Sequence, residues 1–115
     1  MLKLGREREE VRVVDDEVIG PTSTEELSRQ IARLAHFDGY GTYHATAEGS
    51  CSWCEFAREI FRLRKVQARL AAARPGEFPA KVPRPSYSVL ENKALKDRQL
   101  NCFGSWQHAL RQYLI

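Results

Sequence analysis

The sequence has few glycines, and none of them forms a dinucleotide-binding turn. Seven glycines are spread over 115 residues, and they never produce a G-x-G-x-x-G or G-x-x-G-x-x-G spacing. A dinucleotide-binding half needs such a turn after its first strand, because the backbone there must approach a pyrophosphate at a helix N-terminus. We therefore expect no complete dinucleotide-binding domain and no cofactor-binding residue in this chain.

The sequence also lacks a long apolar run. No stretch approaches the roughly 18 to 20 apolar residues that a membrane helix needs. The amino terminus, M-L-K-L-G-R-E-R-E-E, becomes charged too early for a secretory signal. These two absences predict a cytoplasmic protein with no membrane partner.

A strong excess of one charge is missing as well. Eighteen Lys and Arg residues against 15 Asp and Glu give a formal net charge of +3. The densest basic stretch lies within residues 55–69, and it includes Glu55 and Glu59. Basic residues at helical spacing usually face water, whereas a nucleic acid requires them concentrated on one face. We predict no nucleic-acid partner.

The chain contains a mixture of helical and strand patterns. Apolar residues recur at helical spacing over residues 24–37, and Ser52 with Glu55 forms a capping-box pattern that opens another helix. The other predicted elements are a helix end in residues 1–10, strands at 11–14, 41–46 and 66–72, and short helices at 93–98 and 105–114. This mixture predicts one α+β domain over residues 1–115.

Residues 74–85, called the proline loop below, contain four prolines in twelve residues. Proline fixes its own φ and restricts the residue before it, so we expect an extended, stiff path. Arg84 lies between Pro83 and Pro85, and a guanidinium can make paired hydrogen bonds to phosphate oxygens or sugar hydroxyls. Arg84 is therefore the leading binding candidate. The alternative is that Arg84 pairs with a carboxylate while Tyr87, Val89 and Leu90 pack inward.

Three segments carry a resemblance to a known family. They are G-T-Y-H-A-T at residues 41–46, S-W-C-E-F-A-R-E-I-F at 52–61, and F-P-A-K-V-P-R-P-S-Y-S-V-L-E-N-K-A-L-K at 78–96. In order and spacing they resemble the dTDP-4-dehydrorhamnose reductases, which are extended short-chain dehydrogenase/reductases. The resemblance is to the carboxy-terminal, substrate-binding portion of such an enzyme and lacks the main Rossmann half.

The resemblance implies a reaction for the complete enzyme. That reaction is the NADPH-dependent reduction of dTDP-4-dehydro-L-rhamnose to dTDP-L-rhamnose, used for cell-surface polysaccharide. The family's Tyr-x-x-x-Lys pair is absent here, because His44, Ala47 and Glu91 stand four places after the first three tyrosines and no residue does after Tyr113. We therefore expect no catalytic residue in this chain. NADPH, with magnesium as a further candidate, would act in the complete enzyme.

The resemblance also nominates binding residues for a dTDP-sugar. The R-P-x-Y-S-V-L motif implies that Arg84, Pro85, Tyr87 and Ser88 lie beside the nucleotide-sugar pocket. The segment D-D-E-V-I-G-P-T at residues 15–22 is similar to a family D-D-Q-x-G-x-P-T motif, which nominates Thr22. Glu17 replaces the glutamine, and a carboxylate would repel a diphosphate that an amide could bind. A structural turn in which Thr22 caps a helix is the preferred interpretation of that segment, and Ser23 is the alternative cap.

The cysteines allow a different hypothesis. Cys51 and Cys54 form a C-x-x-C at a helix N-terminus, a position that lowers a thiol pKa. Cys102 and His108 would complete a four-ligand zinc site. Inert, buried thiols and no metal site are the preferred prediction, and a small zinc or thiol module is the alternative.

We also expect association with another chain. The resemblance implies that a strand at residues 41–46 belongs to the nucleotide-binding sheet, whose other strands are missing here, and an exposed strand edge tends to pair. Self-association or a partner chain would cover that edge. A non-catalytic interaction or regulatory module is a further alternative, because the regulatory subunit of methionine adenosyltransferase resembles these reductases and acts through association.

Overall fold

The computed structural model describes residues 1–115 and divides into two compact units. Unit 1 comprises Met1–Ile19, Cys51–Ser88 and Leu114–Ile115, and unit 2 comprises Gly20–Ser50 and Val89–Tyr113. The elements in chain order are α1 (Leu2–Glu7), β1 (Glu10–Val13), β2 (Val18–Ile19), α2 (Thr24–Ala35), β3 (Cys51–Ser52), α3 (Trp53–Arg64), β4 (Arg69–Ala72), α4 (Lys93–Asp97) and α5 (Trp106–Leu114). No helix is long and apolar enough to cross a membrane.

Unit 1 is built on two small sheets. β1 and β4 are parallel, with Glu10 opposite Arg69 and Val13 opposite Ala72. Val11 and Val13 are buried, as expected where alternate residues of a strand face a core. β2 and β3 are antiparallel, and Val18 of β2 also forms a parallel bridge with Tyr87. The segment after the proline loop is thereby attached to a sheet.

Helix α3 supplies most of the remaining core of unit 1. Its buried side chains include Ala57, Ile60 and Phe61. Helix α1 approaches α3 closely at Gly5, where an added Cβ would lie 2.7 Å from Val66 Cγ1 and 2.8 Å from Phe61 Cζ. Glycine is needed at this contact because any side chain would overlap the core.

Unit 2 is held together by helices and buried amide groups. Its buried apolar residues include Leu95, Phe103, Trp106 and Leu110. Asn92 is also buried; its Oδ1 accepts from the Thr46 amide at 2.9 Å and its Nδ2 donates to the Thr46 carbonyl at 2.6 Å. These paired bonds occupy the backbone of residue 46 as a neighbouring strand would.

The predicted α+β class is confirmed, with helices and two small two-stranded sheets. The predicted helix at 24–37 is observed as Thr24–Ala35, and the predicted strand at 66–72 as Arg69–Ala72. The capping box of α3 is present, with the Ser52 hydroxyl accepting from the Glu55 amide at 3.1 Å.

The predicted strand at residues 41–46 is wrong. These residues form no strand, because the Thr46 backbone bonds to the Asn92 side chain and the Tyr43 hydroxyl donates to the Gly39 carbonyl. The expectation of a second chain covering this edge therefore loses its physical basis. The sequence patterns also missed β2 and β3, which have two residues each.

Candidate functional site

The candidate site is a cavity of about 510 Å³ in unit 1, called the loop cavity below. One wall is the turn between β1 and β2, residues 14–17. The other wall comes from residues 73–76 and 78–80, with Arg84 and Ser86. The cavity thus lies between an acidic turn and the proline loop.

The carboxyl end of the proline loop is positioned by β2. The Val18 amide donates to the Ser86 carbonyl at 2.8 Å, and the Ser88 amide donates to the Val18 carbonyl at 3.0 Å. Backbone bonds of this kind fix the direction of residues 86–88 along the strand. Arg84 is two residues from the first of these bonds and lines the cavity.

The amino end of the proline loop is positioned by Glu77. Its carboxylate accepts from Arg12 Nε at 2.7 and 3.0 Å and from the Arg74 amide at 2.7 Å. The Arg74 amide, followed by the Arg12 guanidinium, holds the pKa of Glu77 below its usual value. Both ends of the loop are therefore tied to strands of unit 1.

The acidic turn is organised by the N-terminus of α3. The Ser52 hydroxyl donates to Asp15 Oδ1, and Trp53 Nε1 donates to Glu17 Oε2 at 3.2 Å. A helix N-terminus favours a nearby carboxylate because its unpaired N–H groups carry partial positive charge. Asp15 and Glu17 are thus held at the cavity wall, with Asp16 exposed between them.

The charges around the loop cavity have both signs. Arg74 and Arg84 stand on the loop side, whereas Asp15, Asp16 and Glu17 stand on the turn side. Guanidinium groups bind phosphate oxygens, and carboxylates accept hydrogen bonds from hydroxyls. A ligand with an anionic group and several hydroxyl groups matches this arrangement.

The predicted binding residues fall in two places. Arg84 lines the loop cavity, and Pro85, Tyr87 and Ser88 follow it along the chain but are not among the lining residues. Arg84 is exposed and takes part in none of the salt bridges of the structure. The Tyr87 side chain is 65% exposed. The alternative in which Arg84 pairs with a carboxylate and Tyr87 packs inward is therefore wrong.

Thr22 belongs to unit 2 and has a structural role there. Its hydroxyl donates to the Gly20 carbonyl and accepts from the Ala47 amide, each at 3.1 Å. Ser23 caps α2 instead, since its hydroxyl accepts from the Glu26 amide at 3.2 Å. The predicted structural turn is observed, but the capping residue is Ser23.

The cysteines are free thiols. Cys51 and Cys54 are buried; burial raises the pKa of Cys51 to about 11 and also raises the pKa of Cys54. Cys102 Sγ contacts Gln30 Oε1 at 3.2 Å. Across residues 1–115 no group of three or more His, Cys, Asp or Glu side chains is placed to hold a metal ion. The zinc alternative with Cys102 and His108 has no support in this geometry.

Sequence reasoning missed the contributions of Arg12, Arg74 and Glu77. Arg74 carried a usable signal, because it precedes a proline as Arg84 does. Arg12 and Glu77 are 65 residues apart, so no local pattern connects them. Only the parallel pairing of β1 with β4 brings their side chains together.

Comparison with known proteins identifies the family. The model of the RmlD substrate binding domain matches residues 1–115. The chain belongs to the RmlD substrate-binding domain family. The predicted resemblance to the carboxy-terminal portion of dTDP-4-dehydrorhamnose reductases is thereby confirmed.

Several known proteins match over nearly the whole chain. The spore coat polysaccharide biosynthesis protein SpsK of Bacillus subtilis is 36% identical over 114 residues, 99% of this chain and 40% of that protein. A crystal structure of a dTDP-4-dehydrorhamnose reductase from Clostridium acetobutylicum has a TM-score of 0.94 at 38% identity, covering 98% of this chain and 40% of its own. The Bacillus anthracis reductase, in complex with NADP, has a TM-score of 0.89 at 36% identity, with the same two coverages. The chain spans about 40% of the length of these relatives.

Proposed function

We propose that this chain forms the sugar-nucleotide-binding part of a dTDP-4-dehydrorhamnose reductase. The observation that carries the proposal is the match of a substrate-binding domain model over residues 1–115. Relatives named as dTDP-4-dehydrorhamnose reductases support the reaction. In that reaction NADPH reduces the 4-keto group of dTDP-4-dehydro-L-rhamnose, giving dTDP-L-rhamnose in the cytoplasm for polysaccharide synthesis.

The loop cavity is the proposed place for the diphosphate and sugar. Arg84 is free to bind phosphate oxygens, and a guanidinium does so with two parallel hydrogen bonds. The carboxylates of the acidic turn accept from sugar hydroxyls, so Glu17 need not face the diphosphate. Pro85 restricts the backbone beside Arg84, and Tyr87 and Ser88 extend the binding surface beyond the cavity.

Hydride transfer is proposed to lie outside residues 1–115. The printed sequence has neither the glycine-rich turn nor the Tyr-x-x-x-Lys pair, so this chain would contribute binding and orientation. The NADP complex of the Bacillus anthracis relative supports NADPH as the cofactor of a complete enzyme. Residues 1–115 would work as one functional domain.

Calorimetric titration and thermal shift of the purified chain test this function. We expect dTDP-L-rhamnose and dTDP to bind and stabilise the chain and NADPH to have no effect. A ligand at about 100 times its Kd stabilises a folded protein by about 2.7 kcal/mol. Arg84→Ala should weaken binding about tenfold or more, as expected for a lost hydrogen bond to a charged group.

Arg6→Ala is the matched control, because Arg6 is an exposed arginine of unit 1 on helix α1. This variant should bind dTDP-L-rhamnose as the unmodified chain does. Equal loss of binding in both variants would mean that net charge, rather than Arg84, attracts the nucleotide. Absence of any shift with dTDP-L-rhamnose and dTDP would refute binding by this chain alone.

A further inference from the structure

The two ends of the proline loop are attached to unit 1 by different kinds of interaction. Residues 86–88 are held by backbone hydrogen bonds to Val18. At the other end the attachment to β1 includes a side-chain pair between Arg12 and Glu77. We call this pair the Arg12–Glu77 clip.

The clip joins strand β1, the end of strand β4 and the turn at residues 74–77. Both carboxylate oxygens of Glu77 accept from Arg12 Nε, and one of them also accepts from the Arg74 amide. The Glu77 amide donates back to the Arg74 carbonyl at 3.0 Å, and the same Arg12 guanidinium donates to the Ala72 carbonyl at 3.2 Å. The clip thus fixes the turn at residues 74–77 against the end of β4.

The position of Arg84 depends on both attachments. Eight residues, 78–85, lie between Glu77 and Ser86, and three of them are proline. All eight are exposed, so packing does little to hold them. Because proline removes backbone freedom, a short stiff segment fixed at both ends keeps few conformations. A segment fixed only at residue 86 keeps many more.

We propose that Arg12 and Glu77 are positioning residues that hold the proline loop, and with it Arg84, at the loop cavity. This inference rests on the proposed function, in which Arg84 binds the diphosphate. Neither Arg12 nor Glu77 needs to touch the sugar nucleotide. They keep the cavity wall in its binding position before the ligand arrives, which lowers the ordering cost of binding.

Limited proteolysis of the ligand-free chain tests the holding role. Trypsin rarely cleaves before proline, so Arg74-Pro75 and Arg84-Pro85 are protected, and Lys81-Val82 is the one susceptible bond within the proline loop. Arg12→Ala should increase the rate of cleavage after Lys81 about fivefold, the upper range for an exposed ion pair. Glu77→Gln retains an acceptor for the Arg74 amide and should give a smaller increase. Arg12→Lys should fall between Arg12→Ala and the unmodified chain.

Arg62→Ala is the matched control for these variants. Arg62 makes a two-bond pair with Glu59 at 2.6 and 2.7 Å, and both residues lie on helix α3. Its removal should leave cleavage after Lys81 unchanged. Unchanged cleavage in both Arg12→Ala and Glu77→Gln would overturn the proposal, and an equal increase in Arg62→Ala would show general destabilisation instead.

Titration with dTDP-L-rhamnose tests the link to the site. Arg12→Ala should raise the Kd about fivefold, whereas Arg62→Ala should not change it. Faster cleavage with an unchanged Kd would overturn the positioning role. If the unmodified chain binds no nucleotide, the proposed function fails, and the cleavage rates alone then decide whether the clip holds the loop.

Discussion

Unit 1 and unit 2 hold their irregular segments in opposite ways. In unit 2 the segment around Thr46 is bound by the buried side chain of Asn92. In unit 1 the proline loop is exposed, and its amino end is held by the Arg12–Glu77 clip. Both segments lack regular secondary structure, but only the unit 2 segment is bound by a buried group.

The difference has an energetic meaning. Removing a buried amide leaves its partners without hydrogen bonds away from water, which costs far more than the bond itself contributes. Removing one side of an exposed ion pair costs little, because water solvates the partner. The segment with the candidate binding residues is therefore the one whose attachment costs less free energy to break.

Asn92→Ala should have the largest effect. It removes bonds to both backbone groups of Thr46 and leaves the Glu48 and Asn101 side chains without this donor. We expect a loss of about 3 kcal/mol in the free energy of unfolding, measured by urea denaturation. Lys93→Ala, at the exposed next position, is the control and should unfold at nearly the same urea concentration as the unmodified chain. If both variants lost equally little free energy of unfolding, the segment around Thr46 would not depend on a buried group, and the two units would not differ in this respect.

Ser52→Ala should have an intermediate effect, because Ser52 is buried at the start of α3 and bonds to the acidic turn. It caps α3 and donates to Asp15. We expect a loss of about 2 kcal/mol from the missing cap and the missing bond to a charged group. Ser50→Ala, an exposed neighbour, should unfold at the same urea concentration as the unmodified chain. A loss as large as that of Asn92→Ala would mean that the buried Ser52 hydroxyl stabilises unit 1 as much as the Asn92 amide stabilises unit 2.

Protonation of Glu77 on acidification should have the smallest effect, because it weakens only the clip. The charged groups that face Glu77 are Arg12 and Arg74. The Glu10 carboxylate also pairs with Arg12, with 3.4 Å between Glu10 Oε1 and Arg12 Nη1. The folded pKa of Glu77 is below its ordinary value of 4.5. The stabilisation by its carboxylate is therefore complete above that ordinary value and is lost as pH falls through the folded pKa.

The chemical shift of the Arg74 amide proton reports this titration directly. It should change as pH is lowered from 6 to 2, with a midpoint below 4.5. In Glu77→Gln the change should disappear, while the Ser88 amide, bonded to Val18, should behave alike in both proteins. A midpoint at or above the ordinary value would contradict a carboxylate held by Arg12 and Arg74.

Local signals in the sequence were sufficient for the helices. Ser52 and Glu55 are three residues apart and cap α3 without help from distant residues. The strand prediction at residues 41–46 failed because the group that binds Thr46 is Asn92, 46 residues away. β2 and β3 have only two residues each, too few for a periodic pattern. The conformation of these regions depends on hydrogen-bond partners that are far away in the sequence.

The candidate site also contains residues that a local sequence signal indicates and residues that only distant partners bring together. Arg84 could be named from its flanking prolines and from the family motif, and the structure puts it at a cavity wall. Its role in binding stays a prediction, as do those of Pro85, Tyr87, Ser88 and Thr22. The acidic segment at residues 15–17 was visible in the sequence, but its place opposite the proline loop and the Arg12–Glu77 clip depend on strand pairing and on helix α3, which no local pattern indicated.

The interleaved path of the chain has a consequence for engineering. The backbone passes between the units after residues 19, 50, 88 and 113, so neither unit is one continuous stretch. A single cut between residues 50 and 51 would give two fragments, each with part of both hydrophobic cores. Neither fragment is expected to fold alone, and the two together form a natural pair for fragment complementation.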